Sequence, residues 1–188
     1  MKASQIKLAA LKQFVDHGYT ATSLANIADQ VGLKKQSIYS HFRSKDDLFL
    51  SIHEEAVNQE ISWLNRFFEK SNHTHLEELL YNFLLAIKER FLNDYQLSLL
   101  LRMAFYPPAH LYERTMTSFQ NYLNQLEELL LKEVSSSSVE LSVKHEHVVI
   151  SYLNLLDGLI VELIYQGIEK FDARLEISWK VYWRGITA

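Results

Sequence analysis

Apolar residues recur along this chain at three- and four-residue intervals, and no window shows the sustained alternation of a strand. That spacing predicts helices throughout. The breaks at Gly18, at Gly32 and at Pro107–Pro108 separate one helix from the next. The pattern therefore predicts an all-α protein with about nine helices, of which the second and third are short.

The predicted helices differ mainly in length. The first covers about 4–17, the second ends near 31, and the others cover about 35–41, 44–70, 75–92, 95–105, 108–134, 140–168 and 172–187. Polar segments at 71–74 and 135–138 predict loops. Gly18 suits the positive φ that often follows a helix. Ser44, with Asp47 three residues later, resembles a capping box at the start of the long fourth helix.

The strongest motif lies in the second and third predicted helices. A helix-turn-helix needs apolar anchors on both helices, a small residue where they touch and a glycine at the turn. The residues that meet these requirements are Ile27, Ala28, Val31, Gly32, Leu33 and Ile38.

The segment around this motif resembles the N-terminal region of the TetR family. The similar stretches are 14–23 (FVDHGYTATS), Ile27-Ala28, 32–42 (GLKKQSIYSHF) and 43–45 (RSK). The resemblance covers about the first 55 residues in order and without gaps. It implies an N-terminal three-helix DNA-binding domain at 1–46 and a C-terminal helical ligand-binding and dimerisation bundle at 47–188.

In such a protein the third helix would lie in the major groove of DNA. Gln36 suits adenine, and Lys35 suits guanine or phosphate. The full predicted DNA-binding set is Thr22, Ser23, Lys34, Lys35, Gln36, Ser37, Tyr39, Ser40, His41 and Lys45. For Phe42, which follows the apolar pattern, packing inside the small domain is the favoured interpretation.

Lys34 departs from the family pattern, which usually has serine or threonine as the cap of this helix. A lysine cannot accept the free N–H bonds, and its charge opposes the helix dipole by about 0.3–1 kcal/mol. Two interpretations stay open: a nearby DNA phosphate reverses the penalty, or the surrounding fold tolerates the missing cap.

The distribution of charge agrees with a DNA-binding end. The whole chain carries −4, but residues 1–50 hold seven basic and four acidic residues, leaving −7 on the remainder. The absence of cysteine excludes disulfides and thiolate sites. The most apolar run, 148–165, is interrupted by Asn154, Asp157 and Glu162, so the sequence predicts a soluble, cytoplasmic protein without a membrane span.

The C-terminal region contains no catalytic motif, so an enzyme is not predicted. The pairs His73/His75 and His145/His147 lack the i, i+4 spacing of helical metal ligands, and no metal or cofactor is expected. Aromatic side chains with nearby polar groups are typical of ligand cavities in bundles. The candidate ligand-binding residues are Arg102, Phe105, Tyr106, Phe119, Tyr122, Asn154 and Asp157.

The last two helices carry apolar residues on more than one face, which indicates an interface. In the family this helix pair forms a four-helix bundle with a second copy. The candidate interface residues are Leu155, Gly158, Leu159, Glu162, Trp179 and Trp183. Gly158 and Gly167 would permit close approach of helices.

These features predict a homodimeric repressor that binds a palindromic operator in double-stranded DNA and is released by a small, largely apolar effector. Three alternatives stay open. The chain could be a DNA-binding protein without a ligand, an activator, or a helical enzyme or lipid-binding protein whose N-terminal hairpin is only structural.

Overall fold

The computed structural model describes residues 2–70 and 75–187. Within these ranges the chain forms nine α-helices and no strand. The helices are α1 (Lys2–Ala21), α2 (Leu24–Gln30), α3 (Lys35–Tyr39), α4 (Lys45–Lys70), α5 (Leu76–Asn93), α6 (Tyr95–Phe105), α7 (Tyr112–Ser136), α8 (His145–Tyr165) and α9 (Ile168–Ile186). A short 3-10 helix, Ala109–Leu111, precedes α7. The predicted all-α class is confirmed, whereas the predicted loop at 71–74 and His73 lie outside the described residues.

Local signals place most helix ends. Gly18 interrupts α1 with a φ of 77°, one residue beyond the predicted end. Ser44 Oγ accepts a hydrogen bond from the Asp47 backbone N–H at 3.0 Å. The Asp47 carboxylate accepts one from the Arg43 N–H at 2.9 Å, so the predicted cap of α4 is present.

The bounds of α8 and α9 differ from the prediction. Gly167 adopts a φ of 87°, so the chain leaves α8 near Tyr165 and begins α9 at once, four residues earlier than predicted. Gly167 therefore ends a helix instead of permitting close helix approach. α8 also begins late, because the Ser142 N–H donates to the Ile186 carbonyl at 2.8 Å and holds this segment extended beside the end of α9.

The chain divides into two compact units, one at 1–60 and 91–122, the other at 61–90 and 123–188. The division differs from the predicted boundary between 46 and 47, because α6 and the start of α7 pack with the N-terminal helices. The core of the first unit combines α1–α4 with Leu99, Met103 and Leu111. The predicted boundary separates a DNA-binding part from a ligand-binding and dimerisation part, and this division of function stays a prediction.

The second unit has an aromatic core. Phe83 lies within 6 Å, ring centre to ring centre, of Trp63, Phe67 and Phe68. The hydroxyl of the buried Tyr152 donates to the Leu80 carbonyl at 2.7 Å, so this unit satisfies its deepest phenol internally.

α8 is long and apolar enough to cross a membrane by length and composition, with a mean hydropathy of 1.7. Nearly half of its apolar window is nevertheless buried inside the fold. One side packs in the second unit, where Glu162 on α8 pairs with Arg174 at 2.8 Å. α8 is therefore a partly buried helix of the second unit that also carries apolar residues on its exposed side.

Candidate nucleic-acid interface

The α2–α3 hairpin is assembled as the sequence predicts. Ile27, Ala28 and Ile38 are buried in the first unit, and Val31 and Leu33 pack against them. Gly32 makes the turn with a φ of 65°. The Leu33 N–H donates to the Ala28 carbonyl at 2.9 Å, which closes the end of α2.

The outer side of α3 is polar and accessible. Lys34, Lys35, Gln36 and Ser40 are exposed, and Ser37 is half-buried. Tyr39 is large, half apolar and still 50% exposed. Because Ile38 on the opposite side is buried, α3 presents one face to the core and a basic, hydrogen-bonding face to solvent.

Lys34 occupies the N-cap position of α3 and makes no side-chain cap hydrogen bond. The predicted departure from the usual cap is therefore present, and the N–H groups at this helix start receive nothing from the Lys34 side chain. The ammonium group is exposed and free to meet an anion.

Thr22 and Ser23 act within the fold. The buried Thr22 hydroxyl lies 2.8 Å from the Gly18 carbonyl and 3.0 Å from that of Gln13. Ser23 Oγ accepts the Asn26 N–H at 3.1 Å as the cap of α2. Both hydroxyls are thus engaged at helix ends, and the predicted DNA contact of these two residues stays a prediction.

Lys45 is likewise held internally. Its ammonium donates to the carbonyls of Tyr19 at 2.8 Å and Thr22 at 2.9 Å, and it lies 4.1 Å from the centre of the Tyr19 ring. Burial lowers the pKa of Lys45, partly offset by Asp46. Lys45 therefore ties the end of α1 to α4.

A hydrogen-bonded cluster that the sequence did not reveal adjoins this lysine. The Tyr19 hydroxyl donates to the Asp46 carboxylate, and His110 Nε2 lies 3.2 Å from the other carboxylate oxygen. Burial, and then Asp46, raises the pKa of Tyr19. The hydrogen bond from Tyr19 lowers the pKa of Asp46. The cluster joins α1, α4 and the turn before α7, 91 positions apart in sequence, so no local pattern could reveal it.

Two neighbouring residues at the end of α3 point differently. His41, one of the predicted DNA-binding residues, is exposed. Phe42 is buried in the core of the first unit, which confirms the packing interpretation.

The predicted ligand-binding residues are divided between the two units. Phe105 and Tyr106 are exposed at the end of α6, whereas Phe119 and Tyr122 are buried in α7 and stack on each other with centroids 5.6 Å apart. Arg102 lies over the Phe91 ring at 5.3 Å. The remaining two, Asn154 and Asp157, are exposed on α8 in the second unit.

The predicted interface residues are mostly covered by the chain itself. Leu159, Glu162 and Trp179 are only 0%, 8% and 7% exposed, and Leu155, Gly158 and Trp183 are half-buried. The apolar side chains left uncovered lie elsewhere: Ile150 and Tyr165 on α8, and Ile168, Ile177 and Val181 on α9. Asn154 and Asp157 share the α8 side with Ile150 at helical spacing. Ile150, Asn154, Asp157 and Tyr165 on α8, with Ile177 and Val181 on α9, form what we call the α8–α9 outer face; Ile168 lies half a turn round α9 from Ile177 and does not belong to it.

Of the two predicted histidine pairs, the structure describes His75, His145 and His147. His145 Nδ1 lies 3.1 Å from Ser135 Oγ. Within 2–70 and 75–187, no three histidine or acidic side chains are grouped as metal ligands.

A helix-turn-helix whose apolar side is buried and whose second helix presents a basic, exposed side is typical of a DNA-binding protein. Comparison with known proteins narrows the class, since residues 6–52 match the family described as bacterial regulatory proteins, tetR family. The fatty acid metabolism regulator protein of Bacillus subtilis is 28% identical over 176 residues, 93% of this chain and 75% of that protein.

Two further similarities extend the comparison. The biofilm operon icaADBC HTH-type negative transcriptional regulator IcaR of Staphylococcus aureus is 38% identical over 92 residues, 46% of this chain and 47% of that protein. The structure of FadR from Bacillus subtilis in complex with stearoyl-CoA shares the fold with a TM-score of 0.69 and 19% identity, covering 93% of this chain and 96% of that one.

The chain is similar to the tetR family of bacterial regulatory proteins over residues 6–52. It is a DNA-binding transcriptional regulator and not an enzyme, as predicted.

Proposed function

We propose that this chain is a cytoplasmic, homodimeric repressor that binds a palindromic operator and is released by a small, largely apolar effector. The observation that carries the proposal is the outer side of α3, which is polar, basic and exposed while Ile38 anchors its inner side. IcaR, named a negative transcriptional regulator, supports repression.

Sequence reading is assigned to α3. Gln36 offers the amide pair that suits adenine, and Lys35 suits guanine or phosphate. Ser37, Tyr39, Ser40 and His41 contact the sugar-phosphate backbone, which sets register and orientation. Lys34 meets a phosphate near the start of α3, where its charge helps binding.

Thr22, Ser23 and Lys45 support this surface from behind. Their hydrogen bonds hold the end of α1, the start of α2 and the start of α4. We assign them to positioning and not to contact with DNA.

The α8–α9 outer face is proposed to pair with a second copy of the chain. Ile177 and Val181 are 67% and 69% exposed, unusual for β-branched apolar side chains on neighbouring turns. A two-fold dimer buries the same face on both copies and presents two α3 helices to half-sites about 34–36 Å apart. This face replaces the predicted set, whose larger members already pack within the chain.

Effector release is proposed to act through α4, one continuous helix over Lys45–Lys70. An effector shifts the equilibrium only by its differential affinity for the two states. Stearoyl-CoA in the related FadR structure supports a ligand with a long apolar part. The Tyr19–Asp46–His110 cluster holds the first turn of α4, so movement of α4 reaches the α2–α3 hairpin through these bonds.

The test is selection of bound sequences from a random DNA library at two salt concentrations with the full chain. We expect one palindrome, with affinity falling steeply as salt rises because lysines displace counterions from phosphate. Stearoyl-CoA is then added to the complex, and we expect release of the operator. Recovery of no enriched sequence would contradict the repressor proposal, and retention of the operator by ligand-bound protein would contradict the release step.

A further inference from the structure

A groove in the first unit has a chemistry that neither DNA reading nor an apolar effector explains. It lies between α4 and the first half of α7 and has a volume of about 490 Å³. One leucine and seven polar or charged side chains line it. That lining is unsuited to a fatty acyl chain, which binds in apolar surroundings.

His53 forms the inner part of this groove. Its residue is only 1% exposed, and among the described residues its Nε2 atom has no hydrogen-bond partner. The ring stacks on Phe49 with centroids 6.1 Å apart. Burial lowers the pKa of His53 to about 4, so the imidazole is neutral at pH 7. A buried polar atom without a partner is rare and indicates an unfilled contact.

The rim supplies charges of both signs. Glu54 on α4 and Glu113 on α7 contribute two carboxylates, and Arg114 contributes one guanidinium. Arg114 has no acidic partner in the part of the chain that the structure describes. Two carboxylates against one guanidinium disfavour a net anion such as a phosphate group, whereas a molecule carrying both an ammonium and a carboxylate meets both signs.

We infer that this groove binds a small zwitterion of the amino-acid type. Its carboxylate pairs with Arg114, its ammonium lies near Glu54 and Glu113, and a polar group completes the hydrogen bonding of His53 Nε2. This ligand is additional to the apolar effector proposed above, and its binding does not require DNA.

The position of the groove gives binding a consequence for DNA affinity. His53 lies two turns after Asp46 on α4, and Arg114 lies four residues after His110. A ligand that joins α4 to α7 therefore reinforces the two elements that the Asp46–His110 contact already joins. We expect it to hold the start of α4 in place and to strengthen operator binding.

The experiment uses the twenty α-amino acids as probes on the purified full chain. Each is added at millimolar concentration in a thermal-shift assay, and stabilising compounds are followed by calorimetry. We expect at least one to bind, and its Kd to rise about tenfold or more in His53→Phe and in Arg114→Gln. Phenylalanine keeps a planar ring without the nitrogen, so His53→Phe is expected to fold. His17→Phe, at an exposed site on α1, is the matched control and should leave Kd unchanged.

Hexoses and stearoyl-CoA form the comparison arms. Binding of no amino acid overturns the inference, as does amino-acid binding that is equal in wild type, His53→Phe and Arg114→Gln. A His53-dependent response to hexoses or stearoyl-CoA alone also overturns it. Operator binding is measured separately, so loss of the repressor proposal and loss of this inference give different results.

Discussion

The outer side of α3 and the α8–α9 outer face are both exposed, but for opposite chemical reasons. On α3 the exposed residues are lysines, an amide, hydroxyls and one tyrosine, which water solvates well. On α9 the exposed residues include Ile177 and Val181, whose apolar side chains water solvates poorly. A polar surface is stable while waiting for DNA, whereas an apolar one is stable only when covered. The comparison indicates an intermittent partner for α3 and a constant partner for α8–α9.

The largest effect is expected from placing charge on the α8–α9 outer face. The double substitution Ile177→Glu with Val181→Glu puts four carboxylates into a two-fold interface and removes about 1.5–3 kcal/mol of burial per side chain. We expect monomers at micromolar concentration by sedimentation equilibrium. Operator affinity should fall more than about 100-fold, because one α3 reads only a half-site.

Leu8→Glu is the matched control for that variant. Leu8 on α1 is also an exposed apolar residue, 55% accessible, but lies outside the α8–α9 outer face. It should leave the sedimentation behaviour unchanged. A double variant that still sediments as a dimer would show that this face is not the pairing surface.

The next largest effect concerns the outer side of α3. Gln36→Ala removes an amide that makes two hydrogen bonds to adenine, worth about 1–3 kcal/mol, so operator affinity should fall about 10- to 100-fold. Fluorescence anisotropy on the selected operator measures this. Gln59→Ala, an exposed glutamine on α4, is the control. An affinity for Gln36→Ala within about twofold of wild type would remove Gln36 from the reading set.

A smaller effect separates the two interpretations of Lys34. Lys34→Ser restores a capping oxygen, so the free energy of unfolding in urea should rise by about 0.5–1 kcal/mol. If Lys34 meets phosphate, the slope of log affinity against log salt should become shallower by about one. We expect both changes. A more stable protein with an unchanged slope would mean that Lys34 is merely tolerated.

The smallest effect tests Asp157, the charge on the apolar surface. Although Asp157 is accessible to solvent, its partial burial raises its pKa, so the fold favours its protonated form, and stability from this group falls as pH rises through that pKa. Asp157→Asn should therefore stabilise the protein at pH 7 but not at pH 3, by at most about 1 kcal/mol because the group is partly solvated. Urea unfolding at both pH values measures this, with the exposed Asp16→Asn as control. Equal stabilisation at pH 3 and pH 7 would contradict the electrostatic cause.

Local signals in the sequence predicted the α3 region well. Local patterns could be identified without a structure because they depend on residues close by in the sequence. Examples are the turn at Gly32, the buried Ile27 and Ile38, and the Ser44 cap. The internal hydrogen bonds of Thr22 and Lys45 could not be predicted, because their partners, the carbonyls of Gly18 and Tyr19, are backbone groups that residue types do not reveal.

The α8–α9 region was predicted less well, for a physical reason. α8 is apolar on two sides, so periodicity alone could not tell which side faces its own core. The Glu162–Arg174 pair turns one side inward, and the aromatic contact between Trp179 and Tyr81 does the same for α9. The Tyr19–Asp46–His110 cluster likewise depends on partners up to 91 positions apart.

The length of α4 makes a small rotation of this helix comparable to the spacing of base pairs in DNA. A continuous helix of 26 residues is about 39 Å long. A rotation of about 5° at one end displaces the other by about 3.4 Å, which equals the rise of one base pair. An effector thus needs to cause only a small angular change to place a reading helix one base pair out of step with its half-site.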